Sequence, residues 1–182
     1  LWSEELQHFA PKDNAGNRAS PFDINVCRKD SWNDPYFYEG VSRSWTYNVQ
    51  ADFAGLVARC GGEVGFEQHL DRYFEDKKII AKETFMHIPY LYHYANRPDK
   101  SSKIVRRILS KAYKPERFGI PDNEDMGCHS AFYICGLLGL YPMMGQDWYF
   151  LVAPAFERSV IRLGQSGAEL IIEAQNPVSY TH

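Results

Sequence analysis

Three carboxylates crowd into "PDNED", where Asp122, Glu124 and Asp125 fall within four positions just ahead of an apolar run. A carboxylate at a helix start accepts bonds from free backbone N–H groups and suits the helix dipole, worth about 0.5–2 kcal/mol. One acid is enough for that task, so capping and chemistry both stay open here. Hydrolysis of a glycosidic bond uses two carboxyl groups that flank the bond, which directs attention to acids elsewhere in the chain. Glu39 is one, in "DPYFYEGVSRSWTY", among Tyr36, Phe37, Tyr38, Trp45 and Tyr47. A carboxyl desolvated by aromatic rings keeps its proton longer and suits acid work; the plain alternative is an exposed turn glutamate before Gly40. Glu83 lies in "KETFMHIPYLYHY" near His87 and His93, where a single histidine on an aromatic helix is ordinarily a core or surface residue. Asp52, inside "VQADFAGLV", reads as a helix cap or a charge partner rather than a reacting group.

The elements that must position these acids are mostly helical. Residues 1 to about 38 are rich in turn formers. From Arg43 to about Arg59 the apolar spacing predicts one helix, ended by Gly61 and Gly62. "GFEQHLDRYFEDK" predicts an amphipathic helix with Phe66, Leu70, Tyr73 and Phe74 on one face. "IPYLYHYA" reads as a short aromatic helix with Pro89 in its first turn. "DKSSKIVRRILSKAYK" predicts a further helix with Ile104, Ile108 and Leu109 inward. Gly127 to Leu138 is apolar enough to predict a helix buried on most sides. The pattern changes near Gly145, after which short strand-like runs are separated by Pro and by Gly-Gln-Ser-Gly. The expected organisation is therefore a helical region over 1–145 and a short β-rich region over 146–182.

Bulk composition narrows the function classes. The 182 residues are 45% hydrophobic and 24% charged, which fits a folded globular chain. Aromatic content is 15%, with twelve tyrosines and four tryptophans; such rings stack against sugar C–H faces, and they also simply build large cores. A net charge of −3 with no basic stripe argues against nucleic-acid binding. No apolar segment approaches the roughly 20 residues of a membrane span. Leu1 is not an initiator methionine, which is compatible with a mature product whose signal has been removed. Cys27, Cys60, Cys128 and Cys135 lack C-x-x-C spacing, which speaks against zinc, and their even number permits disulfides.

Taken together, these stretches resemble the C-terminal catalytic part of glycoside hydrolase family 92, the calcium-dependent exo-acting α-mannosidases. The family pattern E-G-N-x-W-Q-Y-x-x-x-V-P-x-D-x-x-G-L aligns without gaps on Glu39 to Leu56. N-E-P-x-H-H-I-P-Y-L-Y aligns on Lys82 to Tyr92, and G-x-P-G-N-D-D-x-G-x-x-S-A-W-Y on Gly119 to Tyr133, followed by G-x-Y-P at Gly139 to Pro142. "PFD" at Pro21 to Asp23 and "APAFERSVIRL" also fit. The departures are Val41 for the Asn after E-G, and Arg43, Ser44 and Trp45 at W-Q-Y. Further on, Gln50 and Ala51 stand for Pro and its neighbour, Lys82 for Asn, and Met86 for the first of the paired histidines. Glu124 replaces the first Asp, and Asp122 the preceding Gly.

The resemblance implies that the helices are part of an (α/α)6 toroid followed by a small β-strand region. It implies hydrolysis of terminal α-mannose with inversion, Glu39 as general acid and Asp125, with Glu124, as the acidic pair that activates water. Inversion requires the two carboxyls to stand about 6.5–9.5 Å apart. Trp45, Glu83 and His87 fall at sugar-contacting positions, and Glu83 and Asp125 at positions that hold calcium. Mannose-containing glycans are the implied substrates, and a secreted or periplasmic location is the family's habit. A partial toroid leaves helix faces to be covered by a partner chain or by self-association. The substituted positions keep a second reading open, a non-catalytic module that retains the fold for glycan binding or assembly. A different toroid glycosidase is a weaker third, because three motifs in this order and spacing fit family 92.

Overall fold

The computed structural model of the protein describes residues 2–26, 34–75 and 82–175. The chain folds as two compact units, Leu1–Asp76 and Lys77–His182. Helices are the largest class of regular structure among the described residues, about 40% of them, beside three small two-stranded sheets. Cys27 lies outside the described residues; Cys60, Cys128 and Cys135 are free thiols.

In the first unit, β1 (Trp2–Ser3) and β2 (His8–Phe9) form an antiparallel hairpin, Trp2 opposite Phe9. Three helices follow: α1 (Ser42–Trp45), α2 (Phe53–Arg59) and α3 (Gly62–Glu75). The single helix expected over 43–59 is thus two helices. Asp52 sets the start of the second, because its carboxylate takes the Gly55 N–H at 2.8 Å and begins α2 as an N-cap. The capping expected of Asp52 therefore holds, at the start of a second helix and not inside a single one. Phe66, Leu70, Tyr73 and Phe74 of α3 are all buried, on the face that the spacing predicts. They close over Tyr47, whose hydroxyl donates to His69 Nδ1 at 2.7 Å. His69 Nε2 lies 2.8 Å from the Gln7 carbonyl, which only accepts, so Nε2 carries the proton and Nδ1 is the acceptor.

In the second unit, Ile88–Ala95 winds as a tight 3-10 helix with Pro89 in its first turn, and Asn96 closes it in a left-handed conformation. It packs on α4 (Pro98–Ala112), whose buried stripe is Ser101, Val105, Ile108 and Leu109, with Ile104 half-buried beside it. Helix α5 (Cys128–Leu138) crosses α4 at Gly136, where a Cβ would stand 2.9 Å from Leu109 Cδ1. Only His129, Phe132 and Gly136 of α5 are buried, while Ile134 is 56% exposed. The expected burial on most sides is therefore not what this helix has among the described residues. Strand β3 (Leu140–Pro142) starts ahead of the expected switch at Gly145 and pairs with β4 (Tyr149–Leu151). Tyr90 stacks on Tyr141 at 4.0 Å and on Phe150 at 6.1 Å, which anchors this sheet to the helical core. A last hairpin, β5 (Arg158–Leu163) and β6 (Ala168–Glu173), turns through Gly164–Gly167 as the Gly-Gln-Ser-Gly signal predicts.

Candidate active site

The first unit holds Glu39 and Trp45. Asp34 starts the loop that presents Glu39: its Oδ1 accepts the N–H groups of Tyr36 and Phe37, both at 2.8 Å. Asp in such a position replaces a missing backbone partner and sets the turn. Three residues after Phe37's neighbour Tyr36 the chain reaches Glu39, which is 8% exposed and has a φ of 52°. A non-glycine residue in that left-handed region carries strain of about 1–3 kcal/mol and such residues gather at functional sites. Trp45 braces the same loop, its indole N–H donating to the Tyr38 carbonyl at 2.8 Å. Of the aromatic residues around Glu39 in sequence, Tyr36 and Tyr38 are exposed, whereas Tyr47 belongs to the core beneath.

The second unit holds Glu83, His87, Glu124 and Asp125. Glu83 opens a 3-10 turn, Glu83–Phe85, and lies half-buried, its Oε2 3.6 Å from the Cys128 thiol that donates to it. His87 is 3% exposed, at the head of the Ile88–Ala95 helix. Glu124 is exposed, and its Oε1 accepts the Ser130 N–H at 3.0 Å. That bond satisfies one of the free donors at the start of α5, and the Ser130 side chain, followed by its N–H, pulls the Glu124 carboxyl below its usual range. Asp125 is exposed and opens the turn Asp125–Gly127; Met126 (φ 57°) and Gly127 (φ 75°) follow it, both left-handed. The two acids are therefore dissimilar: Glu124 is bonded to the helix it precedes, and Asp125 projects from a strained turn.

Sequence reasoning passed over His129, Tyr113 and Cys128. His129 is fully buried at the start of α5, and the Tyr113 hydroxyl donates to its Nδ1 at 2.8 Å. That leaves the proton on Nε2, which has no hydrogen-bond partner among the described residues. Burial pushes the His129 imidazole below its ordinary value, against the opposite pull of Glu124, Asp122 and Glu83. Burial likewise pushes the Cys128 thiol up, helped by Glu83. The sequence signal was the pair Cys128-His129, which begins three positions after Asp125.

Calcium takes six to eight oxygen ligands. Glu83 and Asp125 are of the right donor type, yet among the described residues no group of three or more His, Cys, Asp or Glu side chains could hold a metal ion. A thiol against Glu83 is a soft neighbour for a hard cation. The described side chains thus do not complete a calcium shell by themselves. No described helix is long and apolar enough to cross a membrane.

The model of the glycosyl hydrolase family 92 catalytic domain matches residues 1–182. An uncharacterized secreted glycosidase of Arthroderma benhamiae is 32% identical over 130 residues, 70% of this chain and 17% of that protein. The structure of a family GH92 alpha-mannosidase from Bacteroides thetaiotaomicron superposes with a TM-score of 0.81 at 25% identity, covering 97% of this chain and 24% of that one. The same enzyme in complex with mannoimidazole gives a TM-score of 0.83 at 24% identity, covering 97% and 26%. The chain thus spans about a sixth of the curated relative and about a quarter of the solved structures.

Proposed function

The chain belongs to glycosyl hydrolase family 92, and from that premise we propose that it carries the acid and the base of a glycosidase that removes terminal α-mannose from glycans with inversion. Glu39 is the general acid: it gives its proton to the glycosidic oxygen as the bond from C1 breaks. Asp125 is the base: it takes a proton from the water whose oxygen bonds to C1 from the opposite face. Glu124 belongs to the same acidic pair and acts by fixing the loop that carries Asp125. Trp45, Glu83 and His87 are assigned to the sugar site, with Trp45 acting through the Glu39 loop that its indole braces.

The observation that carries this reading is how Glu39 is held. A glutamate that is 8% exposed, left-handed at φ 52°, and sits behind an Asp34 turn is held against its own backbone preference. An exposed turn glutamate has no need of that arrangement. The α-mannose substrate comes from the relatives' described activity, and an exported location from the relative described as secreted. The (α/α)6 toroid over 1–145 and the β region over 146–182 belong to the same proposal. So does cover for the exposed face of α5 by further helices, a partner chain or a second copy. Calcium is part of it too: Glu83 and Asp125 are the carboxylates that would hold the ion, which would polarise sugar hydroxyls, and no step above depends on it.

Cys128 lying against Glu83 favours one alternative, a module that keeps the fold and binds glycans without cleaving them. Release of mannose from α-linked mannobiose by the full-length protein, with calcium and with chelator, separates the two. The glycosidase reading expects release that Asp125→Asn abolishes. Binding without release in either condition supports the module.

A further inference from the structure

We propose that the pocket walled by Phe22, Tyr36 and Phe37 in the first unit is a subsite for the sugar on the leaving-group side of the scissile bond. The inference rests on Glu39 being the general acid. The pocket has a volume of about 450 Å³, within the range of small-ligand sites. Phe22 stands 6.3 Å from both other rings, at 79° to Tyr36 and 37° to Phe37, so the aromatic walls meet at an angle and form a recess. Two carboxylates, Asp23 and Asp34, line it. Beside two carboxylates a purely apolar occupant would strip water from both acids without return. A neutral ring with C–H faces for the aromatics and hydroxyls for the carboxylates matches both kinds of wall.

The carboxylates are already oriented. Asp23 Oδ1 accepts both the N–H and the side-chain amide of Asn25, at 2.8 and 3.2 Å. Its Oδ2 makes no hydrogen bond among the described residues and is the acceptor we assign to a sugar hydroxyl. Asp34 fixes the wall itself through the Tyr36 and Phe37 N–H groups. That same turn leads straight to Glu39, so Phe37 and Glu39 have Cα atoms at most about 7 Å apart. A general acid must touch the leaving oxygen. A recess built from the residues just before that acid accordingly serves the group which departs with that oxygen.

The test uses the full-length protein and two substrates, α-linked mannobiose and α-mannosyl fluoride. Fluoride leaves without a sugar to seat and without need of a proton, so the ratio of kcat/KM on mannobiose to that on the fluoride isolates the leaving-group side. Asp23→Ala and, separately, Tyr36→Ala change exposed side chains that the core does not need. Each is expected to lower the ratio about tenfold, the size of one lost charge-assisted hydrogen bond or ring contact. A ratio equal to the wild type's in both variants overturns the subsite while leaving the glycosidase reading intact. A wild type that hydrolyses neither substrate overturns the glycosidase reading, and the subsite with it.

Discussion

Glu124 and Asp125 are adjacent acids with different surroundings, and substitution separates them. Glu124 gives its Oε1 to the Ser130 N–H. Glu124→Ala should therefore speed hydrogen exchange at the Ser130 amide and lower the thermal midpoint; an unchanged exchange rate contradicts the cap. The Asp125 carboxylate makes no such bond among the described residues, so Asp125→Asn should cost activity and little stability. The fluoride substrate sharpens this. Glu39→Gln should lose about 10²–10⁴-fold on mannobiose and far less on α-mannosyl fluoride, whose leaving group needs no proton, whereas Asp125→Asn should lose on both. Equal losses for Glu39→Gln on the two substrates would argue against the acid role. At this scale the sequence was informative where one residue acts on its neighbouring backbone, as with the Asp52 cap. It was uninformative for His129, whose partner Tyr113 stands 16 residues earlier and is brought to it by the end of α4.

Elements were legible where a local signal and the tertiary packing agreed. The buried face of α3 and the turn before β6 follow directly from spacing and from glycines. The region 43–59 misled because its apolar spacing continues across Asp52, while α1 stops at Trp45 and the Asp52 side chain begins a new helix. Helix α5 misled in another way: apolar composition states what a helix can bury, and its neighbours decide what it does bury.

Two predictions belong to these elements. His69 joins α3 to Tyr47 and to the Gln7 carbonyl, and burial, with His8 next, holds its imidazole down to about 4. The unfolded chain takes up a proton near pH 6.5, so between pH 6.5 and 4 it binds more protons than the folded one. Stability is full above pH 6.5 and falls as the pH drops through that window, by about 3 kcal/mol at its end. The His69 ring resonances should stay those of the neutral form from pH 7 to 5; titration near 6.5 contradicts the account. Gly139 closes α5 at φ 78°, and a Cβ there would meet the Val152 carbonyl at 2.5 Å. Gly139→Ala should destabilise by about 1–3 kcal/mol, measured by denaturant unfolding.

At the scale of the molecule, three motifs in order named the family, and the match over residues 1–182 bears that out. Within the chain, the acids are held by specific devices: the Asp34 turn and left-handed backbone at Glu39, and the Glu124 cap with two left-handed residues after Asp125. These support a working acid and base. The most direct test is the configuration of the first mannose released from α-linked mannobiose by the full-length protein, followed by proton NMR before the anomers equilibrate. β-Mannose appearing first, and absent with Asp125→Asn, is the predicted result. α-Mannose appearing first, or no release at all, would contradict the account.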